Sequence, residues 1–593
     1  MSTQLASLYD VADKKFDYVI IAGSVLANRL SEDPSVSVAL LEAGGAHIDD
    51  PLICMYFLIN HISPNGWQLQ LGNDAYDWGF ITKPQERLEG LQIHFFRGKG
   101  LGGTSAMNCM AWLKPHKEEI DAIEALGNPG WNWDNFERYS KKSERVFAPP
   151  LRQRPFQGLY NPQSVGTNGP VKVSFSPVSS GVEYPLQKSL NTLGIETNFN
   201  PVSMLTRGTF KGLSAMDPES LTRSYSANSY IFPVLERDNL KVLPEAFVTK
   251  IICTVSAGEK LTASAVEFEY AGRLYTVSVG KEAILSAGAI KSPHILELSG
   301  IGDREILEPL GITVKHHLPS VGTNSQEHLA LSGPVHLLRK DRDLITGVLL
   351  ADPNFRSTLK DKYDEVKGTL PLLITGFTFV PLQGIAPVRA AELIEKQTKK
   401  IAEQASAYPP GRKELQEAQL QLLKNASVPD AEILAVPYTM MPLDHTKGPY
   451  ATIPAVVNHP FTRGTIHAVS SDPHVAPEID PHSFEEEIDF EIVYEGFKLS
   501  RRAAQVSPLA DIIQEEALPG SDVSTEEAIK SRLSHGYGLT FSQPDTSGTC
   551  SMLPQDKGGV VDPKLKVYGT NNIRVVDLSI LPLIVATHPL GEY

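Results

Sequence analysis

Residues Phe16–Gly45 read FDYVIIAGSVLANRLSEDPSVSVALLEAGG. Phe16–Ile21 is a short apolar run. An amphipathic helix pattern follows almost at once and continues through Leu30. Ser37–Leu41 is a second apolar run, and it ends in Glu42-Ala43-Gly44-Gly45. Strand, helix and strand, with an acidic residue closing the second strand, is the opening of a dinucleotide-binding α/β unit.

Outward from this unit, Gly98–Asn108 reads GKGLGGTSAMN. Consecutive glycines followed by Thr and Ser let a backbone approach an anionic ligand, although an ordinary glycine loop has the same composition. Val242–Phe268 and Leu274–Val279 alternate apolar and polar residues between turn signals, which predicts antiparallel strands. Lys281–Leu285 leads into Ser286–Gly302, SAGAIKSPHILELSGIG. There Pro293 predicts a helix beginning near Ser292 that ends at Ser299-Gly300. Ala386–Lys424 is polar and helix-forming with a break at Pro409-Pro410, as in a surface helical hairpin, and Glu486–Ala504 is a further amphipathic helix. Gly558–Ile584 reads as turn, strand and loop, and no repeat of 20–50 residues is present.

The 593 residues exceed what one hydrophobic core supports, so two or more domains are expected. Hydrophobic residues at 41% and charged residues at 21% are ordinary globular values, which excludes collagen-like and wholly disordered chains. A net charge of −15 argues against nucleic-acid partners. Four cysteines, Cys54, Cys109, Cys253 and Cys550, are too few and scattered for a disulfide framework or zinc cage, and no metal centre is expected. With neither a secretory signal pattern nor a membrane-spanning run of apolar residues, the expected location is cytoplasmic.

The Gly98–Asn108 and Ser286–Gly302 stretches together resemble both signatures of the glucose–methanol–choline (GMC) flavoprotein oxidoreductases. The resemblance extends through LGNPGWNW (Leu126–Trp133), ERDNLKVL (Glu236–Leu243), FTRGTIHAVSSDPHVAPEIDP (Phe461–Pro481), GTCSM (Gly548–Met552) and GGVVDPKLKVYGTNNIRVVDLSILP (Gly558–Pro582). It is closest to the fungal aryl-alcohol and choline-dehydrogenase-like branches. It implies an α/β fold with a Rossmann-like FAD-binding domain and an α+β substrate domain carrying an antiparallel sheet. The implied division is 1–330 for FAD, 331–545 for substrate and 546–593 for a return to the FAD domain. The implied activity is FAD-dependent oxidation of an alcohol to an aldehyde or ketone, with an apolar or aromatic alcohol or a secondary metabolite as substrate.

The same resemblance implies the cofactor residues. Glu42 would take the adenosine ribose hydroxyls, and the Val248 backbone the adenine. Gly102, Gly103, Thr104 and Ser105 would follow the pyrophosphate and flavin, with Asn108 beside the isoalloxazine. Asp577 would lie near the ribityl chain, or serve as a helix N-cap or turn residue. His588 would be one of two catalytic positions.

This chain departs from the family pattern in three places. About four residues are missing between Ile21 and Ala22, leaving only Gly23 of the glycine fingerprint, unless helix residues unwind so that Gly23-Ser24 serve as the loop. Asp545 stands where a catalytic His is expected three residues before Gly548-Thr549-Cys550, and is read either as a base or, preferably, as a cap of the Ser547-Gly548 turn. His535 is ten residues upstream of that register. The sequence stops at Tyr593, which would leave His588 near a frayed end. Besides alcohol oxidation, these departures leave two readings open. One is a non-redox lyase, isomerase or cyclase using Asp545 and His588; the other is a catalytically inactive homologue.

Overall fold

A computed structural model describes residues 5–54, 69–148, 161–177, 179–255, 260–331, 333–347, 374–439, 441, 443–534 and 545–588. The opening pattern forms β1 (Lys15–Ile21), α1 (Ser24–Leu30) and β2 (Val38–Leu41). β1 and β2 pair in parallel, from Tyr18 opposite Val38 to Ile21 opposite Leu41. Val19, Ile20 and all four residues of β2 are buried. Strands covered on both faces read as unbroken apolar runs, which is why no alternation marks them.

β3 (Leu240–Leu243) adds to β2 in parallel. This corrects the antiparallel expectation for the start of the Val242 run. Parallel neighbours need a long crossover, and the excursion between Leu41 and Leu240 provides it. β4 (Phe247–Val255), β5 (Leu261–Tyr270) and β6 (Arg273–Leu285) form the expected antiparallel meander. β6 then turns to a second task, its latter half lying parallel to β1 with Ile21 opposite Leu285. Among the described residues this sheet has seven strands in the order β3–β2–β1–β6–β5–β4, with Ile573–Val575 beside β6.

α2 (Gly288–Leu298) follows β6 and holds Pro293 in its interior, so it starts before the predicted Ser292. The extra turn is secured by Asp577, whose Oδ2 accepts from the Gly288 amide at 3.0 Å and the Ser292 hydroxyl at 2.5 Å. A cap supplied from so far along the chain leaves no local signature.

A second sheet is antiparallel throughout: Leu329–Leu331, Ala455–Val457, Ala431–Ala435, Gly376–Val380 and Gly208–Lys211, in that order. The helix Glu487–Ala504 packs on its Ala455 and Ala431 strands, and Glu183–Thr192 on its other edge. Pro387–Gln404 and Arg412–Lys424 form the expected hairpin. Their Leu393, Ile401, Leu420 and Leu423 share one apolar cluster with Ile433 and Val457 of the sheet. Glu183–Thr192 and Gly208–Lys211 precede residue 330, so a division of the chain there does not coincide with the sheets. Thr465–His467 pairs with Glu478–Asp480 in a separate two-stranded ribbon outside the second sheet. No disulfide joins the cysteines among the described residues, and no described helix is long and apolar enough to cross a membrane.

Two features of this scaffold carry measurable consequences. Ala22, between β1 and α1, has φ +62° and is tied into the sheet by its amide, which donates to the Leu41 carbonyl at 2.9 Å. A left-handed Ala costs about 1–2 kcal/mol, part of which glycine's unfolded-state entropy returns. Ala22→Gly is therefore expected to raise the unfolding free energy by about 0.5–1 kcal/mol in urea titration. An unchanged or lower value would remove the strain argument.

His336, on the strand Val335–Leu338, is buried with no partner on either ring nitrogen, and burial pulls its pKa down to about 4. The unfolded chain binds this proton near pH 6.5. The neutral ring therefore costs nothing above that pH, and stability is lost as pH falls from 6.5 toward 4. His336→Phe should abolish acid destabilisation on the order of 2–3 kcal/mol between pH 7 and 4, measured by denaturation at stepped pH. Parallel pH profiles for the two proteins would contradict this assignment.

Candidate active site

A cavity of about 640 Å³ runs from the end of β1 to the second sheet. Its size falls within the range of small-molecule sites. All eleven residues singled out in the sequence line it: Gly23, Glu42, Gly102, Gly103, Thr104, Ser105, Asn108, Val248, Asp545, Asp577 and His588. His535 lies outside the described residues.

At the first end, β1 passes into α1 through Ala22 and Gly23 alone, and Ser24 is already helical. The helix has not unwound to lengthen the turn. Gly23 cannot carry a side chain, because a Cβ there would stand 2.7 Å from Ile20 Cγ2 and 2.9 Å from Ser286 Oγ. Glu42 is buried, and burial raises its carboxyl pKa against the amides of Gly44, Gly100 and Ala43; Oε1 accepts from the Gly44 amide at 2.8 Å. Gly102 begins a short 3₁₀ turn, Gly103–Ala106. The Ser105 hydroxyl donates to the Gly102 carbonyl at 2.6 Å, and Thr104 Oγ1 accepts from the Gly98 amide at 3.2 Å. Asn108 Oδ1 accepts from the Met110 amide and from Arg223. Val248 lies on β4 opposite Phe268.

Asp577 serves as the cap that one sequence reading allowed. Its Oδ1 accepts from the Ser579 amide at 2.9 Å while Oδ2 holds the start of α2. The whole carboxylate is thus engaged in fixing two wall segments.

At the other end, four residues form a chain of contacts. His328 Nε2 donates to the Val585 carbonyl at 2.8 Å, and its Nδ1 lies 3.1 Å from Asp545 Oδ2. His588 Nδ1 lies 3.4 Å from the same Oδ2, and its Nε2 is 3.1 Å from Glu432 Oε1. Asp545 therefore does not cap the following turn. The Ser547 and Gly548 amides donate instead to the Gln326 and Leu578 carbonyls. Nor is His588 frayed: its side chain is 18% exposed and held between two carboxylates.

Burial alone would lower both histidine pKa values, but the facing carboxylates outweigh it and raise them, that of His588 strongly. Burial would likewise raise Asp545, yet hydrogen bonds from both rings bring it below its ordinary value. Beside them, Glu327 is pushed up to about 7 by burial, which Arg97 only partly offsets. Arg97 Nη2 donates to its Oε2 at 3.1 Å, and the Thr546 hydroxyl contacts the same oxygen.

His328, Glu432, Glu327 and Arg97 were not singled out in the sequence. For Glu432 a signal existed, since it is a carboxylate inside the otherwise apolar strand AEILA. Local contradictions of that kind mark functional or strained positions. His328 is 217 residues from Asp545, and its neighbours in the sequence give no such warning.

Because Asp577 accepts four hydrogen bonds in a buried wall, Asp577→Ala is expected to cost about 2–4 kcal/mol in urea unfolding. A loss below about 1 kcal/mol would show that the cap is dispensable.

Family models of the GMC oxidoreductases match residues 16–330 with their N-terminal part and 460–591 with their C-terminal part. The chain is 34% identical over 597 residues to the GMC oxidoreductase family protein Mala s 12 of Malassezia sympodialis, covering 98% of this chain and 91% of that protein. It is 29% identical to dehydrogenase mpl7 of Monascus purpureus, over 97% and 94% of the two chains. An FAD-dependent oxidoreductase from Chaetomium thermophilum superposes with a TM-score of 0.86 at 27% identity, over 97% of this chain and 96% of that one. A fungal aryl-alcohol oxidase shares the fold, with a TM-score of 0.84 at 24% identity over 97% and 96%. With the seven-stranded sheet, the second antiparallel sheet and the cavity joining them, these matches place the chain in the GMC oxidoreductase family.

Proposed function

We propose that this chain is an FAD-dependent oxidoreductase that converts the CH–OH group of an alcohol to an aldehyde or ketone. The observation that carries this reading is the single cavity joining Glu42, Gly102–Ser105 and Val248 at one end to Asp545 and His588 at the other. The residues present fit the cofactor. Ser286 Oγ is buried in the cavity wall with no partner, and Gly103 and Gly288 have open space where a Cβ would stand. Glu42 would hold the adenosine ribose, the Val248 backbone the adenine, and Gly102–Ser105 with Asn108 the pyrophosphate and flavin. Asp577 would keep the wall in place along the ribityl chain.

When bound, FAD supplies the acceptor for the hydride that leaves the CH–OH carbon. The hydroxyl proton falls to this chain's own residues. In its neutral form, which the two flanking carboxylates make the minor one, His588 takes it at Nδ1, beside Asp545 Oδ2, while Glu432 holds Nε2 and fixes the ring. Two flanking carboxylates make the imidazole a strong proton holder. The apolar wall formed by Ile374, Phe377, Leu434 and Val436 supports an apolar or aromatic small-molecule substrate, with the Phe377 ring 5.9 Å from that of His588.

A second reading rests on the contact between Asp545 and His588, a pair able to perform acid–base chemistry without net oxidation, as a lyase, isomerase or cyclase would. Reconstitution with FAD separates the two. The purified protein should acquire flavin absorbance in stoichiometric amount, and His588→Gln should retain the colour while losing roughly a hundredfold or more in alcohol turnover. Inserting Gly-Gly-Gly-Thr between Ile21 and Ala22 should tighten FAD binding by restoring the phosphate turn. A protein that remains colourless in both forms would overturn the redox reading in favour of the second or of an inactive homologue.

A further inference from the structure

We infer that His328, Asp545 and His588 form a binding site for one divalent transition-metal ion, with Nδ1 of each ring and Oδ2 of the carboxylate as ligands. One donor atom from each residue lies within 4.8 Å of the other two, and the carboxylate oxygen is already 3.1 and 3.4 Å from the two Nδ1 atoms. Bonds of about 2.1 Å set neighbouring ligands about 3.0–3.4 Å apart in octahedral or tetrahedral geometry. Two of the three separations meet this, and the third, within 4.8 Å, is met when the two rings turn toward the ion.

The outer nitrogens are arranged as a metal site requires. A ligating histidine ordinarily gives its other N–H to a carbonyl or carboxylate, which fixes the tautomer and orients the ring. Here Nε2 of His328 meets the Val585 carbonyl at 2.8 Å and Nε2 of His588 meets Glu432 at 3.1 Å. A carbonyl can only accept, so the proton of a neutral His328 sits on Nε2 and its Nδ1 presents a lone pair to the shared point.

Without an ion, both Nδ1 atoms must be protonated to satisfy one carboxylate oxygen, which makes two buried imidazolium rings. A divalent cation replaces those two protons at the same total charge. Two imidazoles and one carboxylate suit Mn, Fe, Co, Ni, Cu or Zn better than Mg or Ca. Asp545 and His588 line the cavity, so the ion has an entry path and its open positions face a hydroxyl- or carboxylate-bearing ligand. An ion on His588 Nδ1 and the substrate proton that the redox reading places there exclude each other, so a bound ion would silence alcohol oxidation without displacing flavin from the other end.

The test uses the full chain, stripped with chelator and titrated with Zn²⁺ and Co²⁺, with bound metal counted by mass spectrometry after dialysis. About one equivalent per chain is expected, with visible d–d absorption for Co²⁺. Asp545→Asn and His588→Gln should abolish retention, and Glu432→Gln should weaken it about 10–100-fold. His474→Gln, an exposed histidine paired with Glu269 elsewhere, should leave it unchanged. His328 is fully buried, so the His588 variant at the cavity wall, checked for folding by circular dichroism, carries the decision. No retained metal in the unmodified chain, or retention equal in the folded Asp545 and His588 variants, would overturn the proposal.

Discussion

The carboxylate of Asp545 is buried between two imidazoles, and one end of the cavity is organised around that charge. Its partners come from the start of the Leu329–Leu331 strand and from the last described stretch of chain, with Glu432 reached through His588 from a third strand. Removing one member would strand a buried charge, a loss typically worth 3–5 kcal/mol. Sheet register supplies the alignment. Glu432 and Ala330 both stand opposite Val456, and the period of two places His328 on the same face as Ala330. The apolar wall follows from the same register, since Ala330, Phe377, Leu434, Val436 and Val456 share one cluster on that face.

The segment bearing His588 is held by more than its own side chain. Gln326 Oε1 accepts from the Ile584 amide at 3.1 Å, Glu119 Oε1 from the Ala586 amide at 3.1 Å, and the Val585 carbonyl accepts from His328. Buried carboxylates act in the same way elsewhere. Glu297 accepts from the Ala468 amide and faces His467 Nδ1 at 2.7 Å, joining α2 to the Thr465–His467 strand. These groups explain how long stretches without regular secondary structure hold fixed positions around the cavity. Each gives amides that would otherwise be buried without a partner an acceptor.

The end of the cavity beside β1 shows a different compromise. β1 and β2 are set by apolar burial, and the two-residue turn between β1 and α1 leaves their pairing intact. The turn itself places Ala22 in a conformation suited to glycine and starts the helix at Ser24. The strand–helix–strand unit is thus robust because its energy lies in the packed strands. The turn is sensitive because the direction of its few backbone amides depends on turn length.

Much of the first sheet was legible in the sequence because its signals are local. FDYVII and SVALL are apolar runs long enough for buried strands, and the meander from Phe247 to Leu285 alternates where one face is solvated. The glycine stretch and Glu42 were legible for the same reason, as short motifs whose spacing carries their chemistry. Parallel pairing of β3, the early start of α2 and the membership of Gly208–Lys211 in the second sheet were not, because each depends on a partner from a distant part of the chain. So did the site. The sequence by itself determined the α/β class and the family, and drew attention to Asp545. Only the tertiary structure decided that this carboxylate lies between His328 and His588 instead of capping its own turn. The reason is that strand register and buried hydrogen bonds, which join His328 to Asp545 across 217 positions of sequence, set the partners of a buried charge.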